Sequence, residues 1–366
     1  MKTKLSRSVA VLCVVLLCFI YLGVLPVNSQ EEDTWTDLVP MQKARLGLGV
    51  VALNGKIYAI GGSDGSWDGY LDINEEYDPK TNTWTTKAPI PERIAYFGIT
   101  TYNGKIYCVS SSTGSTYAYN PTNNTWEKKA SLPNPRYEIT ACTVNDKIYV
   151  MGGTSKCLDV YNPSNNSWTA KAFMIHANGT ISQEHVSVVL NGKIHVIGGY
   201  PIEYSHQIYD PKIDSWSIGE PLLRGYYYAV AAATTGVNAP KRIYVFGGNQ
   251  SYKNDNTWKC GLVSQSYDPL TKSWSLVSQI PIGHLIGDAT TINDELYIIG
   301  GAESESTRYA LVLPSLCRLY TPIDYGIPDP TPSPKPEPFP TTQVLVIIIT
   351  LIVGLGILTY FKKYRK

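Results

Sequence analysis

The chain has 366 residues, of which 43% are hydrophobic, 17% charged and 11% aromatic, with 31 Lys+Arg against 30 Asp+Glu. This is globular composition, which excludes a disordered or fibrous chain, and a net charge of +1 excludes the global basic field of a nucleic-acid binder. Tyr occurs 27 times against 6 Phe, with 30 Gly and 24 Pro, a skew toward strands and turns.

Lys2, Lys4 and Arg7 precede an apolar stretch from Val9 to Leu25, followed by Pro26-Val27-Asn28-Ser29 and the acidic Glu31, Glu32 and Asp33. That order predicts a secretory signal peptide over residues 1–29, cleaved after Ser29; read instead as an uncleaved anchor, it exports the same body.

From about residue 30 to 325 one unit recurs six times. Asn54-Gly-Lys-Ile-Tyr-Ala-Ile-Gly61-Gly62 is followed by Asn103-Gly-Lys-Ile-Tyr-Cys-Val-Ser110-Ser111 and Asn145-Asp-Lys-Ile-Tyr-Val-Met-Gly152-Gly153. Asn191-Gly-Lys-Ile-His-Val-Ile-Gly198-Gly199, Lys241-Arg-Ile-Tyr-Val-Phe-Gly247-Gly248 and Asn293-Asp-Glu-Leu-Tyr-Ile-Ile-Gly300-Gly301 complete the set, with spacings of 49, 42, 46, 49 and 53. Behind five of them, Tyr77-Asp-Pro, Tyr119-Asn-Pro, Tyr161-Asn-Pro, Tyr209-Asp-Pro and Tyr267-Asp-Pro each carry a Trp seven residues after the Tyr, at 84, 126, 168, 216 and 274. The sixth has Tyr320-Thr-Pro without a following Trp, and an unassigned Trp35 stands at the beginning of the body.

Asn-Gly or Asn-Asp between alternating apolar runs is a tight hairpin turn, Gly-Gly ends the second strand where side chains have no room, and Asp-Pro starts another turn. Each unit therefore predicts a four-stranded antiparallel sheet. Six such sheets bury both faces only by packing radially around an axis, and the segment around Trp35 supplies the missing outer strand of the sixth. The expected fold is all-β: a six-bladed propeller closed by an N-terminal strand.

These elements resemble the kelch family, whose repeat carries a Gly-Gly pair, then Tyr-Asp-Pro, then Trp. The resemblance covers roughly residues 33 to 322, with departures at Ser110-Ser111, Asn120, Asn162 and His195.

In such a blade the 1–2 and 3–4 turns lie on one side, and the 2–3 loops and 4–1 connections on the other. The long segments 63–72, 200–205 and 249–260 all belong to the second side, where recognition is expected. Nine or ten residues before the turn Asn stand Arg45, Arg93, Arg136 and His284, with Arg224 in a corresponding place; the fourth linker has Ser182 with His185 close by. With Tyr96, Tyr137 and Tyr226-Tyr227-Tyr228 beside them, these residues predict a ring at the channel mouth able to hold a carboxylate. Alternatively, arginine there belongs to the repeat and holds blades together. The expected ligand-binding set is Arg45, Arg93, Arg136, Arg224, His284, Tyr137 and Tyr227.

Asp64 to Glu75 has the spacing of a calcium loop, but strands instead of helices flank it, so no metal is expected. Gly47-Leu-Gly49-Val-Val-Ala52 precedes a hairpin and not a helix, which removes a dinucleotide reading. Galactose oxidase is a kelch propeller with a copper-radical centre, but the His, Tyr and Cys set for it is not evident among the five His. No cofactor is expected, and no triad or Walker loop appears. Cys108, Cys142, Cys157, Cys260 and Cys317 allow at most two disulfides in an exported domain, with the pairing open. Asn123, Asn165, Asn178 and Asn249 begin glycan-acceptor patterns expected in turns or loops.

After the body, Pro328, Pro330, Pro332, Pro334, Pro336, Pro338 and Pro340 at alternate positions predict an extended stalk over 326–343. Residues 344–361 carry no charge and at about 1.5 Å each span roughly 27 Å as a transmembrane helix. Lys362, Lys363, Arg365 and Lys366 then hold the tail 362–366 in the cytoplasm and the body outside. This end resembles the anchoring tails of prokaryotic, especially archaeal, surface proteins. Setting both ends and the stalk aside, the exported body carries 23 basic and 28 acidic side chains.

The expected function is a cell-surface module binding a protein or glycan on its long-loop face, anchored in the membrane by the C-terminal helix, with no nucleic-acid partner. A surface carbohydrate-active enzyme with its site at the channel mouth is the alternative.

Overall fold

The computed structural model describes residues 33–66, 68–153, 157–175, 183–201, 203–249, 261–303 and 313–329. The expected signal peptide, transmembrane helix and basic tail lie outside these residues, as do most of the stalk, Asn178, Ser182 and residues 250–260 with Cys260. Contacts divide the chain into Met1–Ile327 and Pro328–Lys366, and all that follows concerns the first unit. Among the described residues no helix is long and apolar enough to cross a membrane, and every regular element is a strand.

Six four-stranded antiparallel sheets are present. From the inside outward the first runs Gly49–Leu53, Lys56–Ile60, Asn74–Asp78 and Thr83–Thr86, and the second Gly98–Tyr102, Lys105–Val109, Thr116–Asn120 and Thr125–Lys129. The third runs Ile139–Val144, Lys147–Gly152, Leu158–Asn162 and Ser167–Lys171, and the fourth Val186–Leu190, Lys193–Ile197, His206–Asp210 and Ser215–Ile218. The fifth holds Tyr227–Ala233, Ile243–Asn249, Ser264–Asp268 and Ser273–Val277. In the sixth, Asp288–Ile292, Glu295–Ile299 and Cys317–Thr321 are completed by Thr34–Asp37 from the other end of the body. Trp35 pairs with Tyr320 as Trp84 pairs with Tyr77, so the displaced Trp is the closing strand. The innermost strands neighbour one another in cyclic order, and the last meets the first.

The hairpin turns have the geometry their residues predict: Asn54 and Gly55 have φ of 53° and 73°, the left-handed pair that matches strand twist. Apolar layers fill each space between adjacent blades. Tyr58 and Ile60 of the first meet Ile106, Cys108 and Tyr119 of the second, and five equivalent clusters complete the circle. Each fully buried side chain of this size contributes about 1.5–3 kcal/mol.

The Tyr-x-Pro…Trp signature is an inter-blade clamp. Asn124 Oδ1 accepts the Tyr119 hydroxyl at 2.6 Å and the Ala88 amide at 2.8 Å, while the Trp126 indole donates to the carbonyl of the same Ala88 at 2.9 Å. Both backbone groups of one linker residue are thus held by the following blade. Val39, Ala130 and Ala172 are gripped identically through Asn82, Asn166 and Asp214 and their tryptophans. In the fifth blade Lys272 replaces the acceptor and only Trp274 reaches Glu220. In the sixth, Asp33 stands two residues before Trp35 and accepts the Ser278 amide at 2.8 Å and the Ile323 amide at 2.7 Å.

Candidate functional site: the channel mouth

Each linker entering an innermost strand crosses the rim of the channel, and in each one residue adopts the left-handed region: Gly47, Tyr96, Glu138, Glu184, Tyr228 and Ile286, with φ between 55° and 60°. Backbone hydrogen bonds join these residues from blade to blade. Tyr96 donates to Gly47, Gly47 to Ile286, Ile286 to Tyr228 and Tyr228 to Glu184, at 2.8–3.0 Å. A non-glycine residue there costs on the order of 1 kcal/mol. The return is that five side chains are carried to the rim of the axial opening.

They line a mouth cavity of about 120 Å³ together with Phe97, His185 and Asp288. Beyond it a channel of about 590 Å³ is walled by all six innermost strands, with small side chains such as Thr100, Thr143, Ser187, Ala231 and Thr290. Strand edges along this wall are satisfied across blades: Val50 donates to Asp288 Oδ2 at 2.7 Å and Ala52 to Thr290 Oγ1 at 2.9 Å.

Three carboxyl groups, those of Glu138, Glu184 and Asp288, line the mouth beside the Thr140 hydroxyl and the His185 imidazole. The Tyr228 hydroxyl donates to Glu138 Oε1 at 2.9 Å and is also hydrogen-bonded to Glu184. Burial, then the charge of Glu138, pushes the Glu184 carboxyl up to about 7. Burial likewise raises Glu138 and pushes Asp288 up to about 7, although the Val50 and Ala289 amides favour the ionised form of Asp288. Tyr96 and Tyr228, which share the lining with these carboxyls, belong to a belt of rings, Tyr70–Tyr96–Tyr228–Tyr227–Tyr200, with successive centroids 6.5, 6.5, 5.7 and 5.7 Å apart. Tyr200, Tyr204 and Tyr137 are more than half exposed.

The residues expected to form the ring divide differently. Arg45 is fully buried over its own blade, ion-paired with Glu75 and donating to the Lys43 and Ala59 carbonyls. Arg136 is equally enclosed: it meets Asp159 at 2.8 Å and donates to the carbonyls of Gly152, Val150, Cys157 and Asn134. His284 is fully buried, its pKa lowered to about 3 by burial and by Arg318. Arg93 and Arg224 are exposed, Tyr137 is exposed beside the mouth, and Tyr227 belongs to the tyrosine belt. None of the four arginines lines the mouth cavity.

The second glycine of the Gly-Gly pair leaves room for the crossing linker: a Cβ on Gly62 would stand 3.0 Å from the Leu46 carbonyl oxygen, and one on Gly153 would collide with that of Tyr137. The buried arginines are close behind, with Arg45 Cδ at 3.2 Å and Arg136 Cγ at 3.0 Å. Where Ser110-Ser111 replaces the glycines, the corresponding linker residue is Ile94 and not Arg93: nine residues back from the turn Asn is the register, and Arg93 is ten.

The mouth residues themselves have a signal that nine-back counting passes over. Five of the six left-handed positions precede the first residue of the Gly-Gly pair, or Ser110 in its place, by 14 residues; Tyr228 precedes Gly247 by 19 across the longer fifth hairpin. A second missed pair is His195 and His206, whose Nδ1 and Nε2 are 2.8 Å apart within the fourth blade, beside Tyr267 and Trp274. Burial lowers these pKa values to about 3 and 4.

Asp64 Oδ1 accepts the Ser66 amide and hydroxyl in a tight turn, and among the described residues no group of three or more His, Cys, Asp or Glu converges on a metal position. Cys108, Cys142 and Cys317 are buried free thiols. Asn123 and Asn165 are exposed in 3–4 turns, whereas Asn249 ends a buried strand and is 1% exposed, with Nδ2 on the Tyr227 hydroxyl at 2.6 Å. The expected loop position of that acceptor pattern is therefore corrected: strand Ile243–Asn249 continues through its Gly-Gly pair and ends one residue beyond it.

The Attractin/LZTR1 beta-propeller family model matches residues 96–312, and the kelch motif matches residues 44–91. Kelch-like protein terF of Aspergillus terreus is 30% identical over 137 residues, 35% of this chain and 28% of that protein. Kelch-like protein 35 of Mus musculus is 29% identical over 34% of this chain and 21% of its own length, and beta-scruin of Limulus polyphemus 32% identical over 32% and 13%. The chain thus spans little more than a quarter, at most, of these curated relatives. The structure of YjhT superposes with a TM-score of 0.62 at 15% identity, covering 76% of this chain and 95% of that one, a likeness of fold.

Proposed function

The chain belongs to the Attractin/LZTR1 beta-propeller family, and from that premise we propose that it is a protein-binding module that holds its partner on the face carrying the channel mouth. Kelch propellers generally bind proteins, and the observation that supports this face is the tyrosine belt. Tyr70, Tyr96, Tyr228, Tyr227 and Tyr200 form one run of rings across the mouth, flanked by the exposed Tyr137 and Tyr204. Tyrosine contributes a large, stiff contact area with a hydroxyl at its tip, and it is enriched among residues that dominate binding energy. The opposite face is made of short Asn-Gly and Asx-Pro turns, and in four blades one acceptor side chain of the latter, Asn82, Asn124, Asn166 or Asp214, is committed to a clamp.

The module is presented outside the cell, tethered through the stalk and the apolar segment 344–361, a reading that rests on the order of charged and apolar residues at the two ends. The test is retention of partners by the immobilised full-length chain from solubilised cell-surface extract. Substituting Tyr137, Tyr200 and Tyr204 together by Ser is expected to abolish retention, while substituting exposed residues of the opposite turns is not. Equal retention by both variants, or bound material that is carbohydrate and not protein, defeats the proposal. Protease treatment of intact cells checks the topology: the body is digested if it lies outside.

A further inference from the structure

Resting on that reading, we propose that the channel mouth is a receptor for an organic cation, the arginine or lysine side chain of the bound protein, seated between Glu138 and Glu184 under the rings of Tyr96 and Tyr228.

Three observations converge. The first is geometric: left-handed backbone at Tyr96, Glu138, Glu184 and Tyr228 carries two carboxyls and two rings to the rim of one cavity of about 120 Å³, room for a small head group. The second is the proton balance of the cluster once its carboxyls are ionised. The Tyr228 hydroxyl has one hydrogen, yet it is bonded to both Glu138 and Glu184. One phenol cannot donate to two ionised carboxylates, so with both ionised the cluster lacks a donor. A guanidinium or ammonium group supplies several at once. The third is the absence of an internal counter-charge among the described residues of the mouth. Arg136, only two residues before Glu138, is turned into its blade against Asp159, and the groups facing the pair are Tyr70, Tyr96, Tyr137, Tyr228, His185 and Asp288.

The rings select the kind of cation. A tyrosine face attracts a nearby positive charge and favours planar or alkylated cations over a hydrated metal ion. Among the described residues the carboxyl groups of the mouth do not converge in a set of three or more that could hold a metal ion. With burial pushing the Glu184 and Asp288 carboxyls up to about 7, occupancy should grow as pH rises through neutrality, because each carboxyl that loses its proton adds attraction for the cation.

The experiment uses the full-length chain with Nα-acetyl-arginine methylamide as probe and its neutral isostere, the citrulline derivative, as control, followed by ligand-observed NMR. The arginine probe should bind at least tenfold more tightly than the citrulline probe. Its affinity should rise severalfold between pH 5.5 and 8, and Glu138→Gln with Glu184→Gln should remove the preference. Equal binding of the two probes to the wild-type chain overturns the proposal, and that comparison needs no variant to fold. A neutral sugar that binds while the arginine probe does not also overturns it. If partner retention in the preceding test is intact but the probes are not distinguished, this inference fails alone. If the probes are distinguished but no protein is retained, the cation site stands and the protein-binding reading fails.

Discussion

Arg136→Met is the most informative perturbation of the scaffold. Arg136 is 3% exposed, meets Asp159 at 2.8 Å and donates to four backbone carbonyls at 2.9–3.2 Å. Methionine retains much of the aliphatic volume and none of the donors, so it leaves the buried Asp159 carboxylate and the carbonyls of Asn134, Val150, Gly152 and Cys157 without the guanidinium. Breaking one side of a buried pair costs about 3–5 kcal/mol. For a domain of this size each kcal/mol corresponds to roughly 2–4 °C, so the thermal midpoint should fall on the order of 10 °C. Adding Asp159→Leu should restore most of the loss, since an apolar pair of similar volume is often as stable as the ion pair it replaces. The assay is thermal unfolding of the full-length chain followed by near-ultraviolet circular dichroism, with exposed Arg93→Met as the near-neutral comparison. A cost below about 1 kcal/mol for Arg136→Met, or a double variant no better than the single one, would refute a pair buried inside the blade.

Other expectations follow from the clamps, the histidines and the seam. Asn124→Ala loses two hydrogen bonds and forces alanine into a left-handed position, for about 2–3 kcal/mol in denaturant unfolding; Asn124→Gly should recover the backbone part, and identical costs would exclude it. The His195–His206 pair is neutral when folded, with pKa values lowered below the unfolded 6.5, so stability is present above pH 6.5 and declines as pH falls toward 4. His206 alone accounts for up to about 3 kcal/mol of that loss, and His206→Gln should flatten the acid limb of a stability profile measured from pH 7 to 4. Trp35→Ala should loosen the junction of the fifth and sixth blades first, measured as faster hydrogen exchange in Ile243–Asn249 and Cys317–Thr321 than in the second and third blades; uniform exchange would show closure to be fully cooperative.

Much of the fold is legible in the sequence because the repeat spells out hydrogen bonds as well as apolar periods. Asn-Gly fixes the hairpins, and the seven-residue spacing from Tyr to Trp sets them opposite one another, as Tyr77 and Trp84 are. Even the displaced Trp35 follows, since a ring leaves one outer strand to be filled. The site was less legible. Arg45 and Arg136 stand out in the sequence, but their carboxylate partners Glu75 and Asp159 are some 20 to 30 residues away, and nothing local says that a side chain turns inward over a glycine. Conversely, Glu138, Glu184 and Tyr228 share a left-handed backbone position and not a residue type, so a search for recurring side chains passes over them. The His195–His206 contact depends on a diagonal neighbour across two strands, which only the register of Ile197 with His206 reveals.

The closing arrangement also decides how the body bears tension. Its last strand, Cys317–Thr321, is not an outer one: it lies between Glu295–Ile299 and Thr34–Asp37 and is hydrogen-bonded to both. A pull entering from the C-terminal side therefore meets a strand gripped along two edges, and two ladders must open before it moves. Had the ring been closed by the C-terminal strand on the outside, one would have been enough.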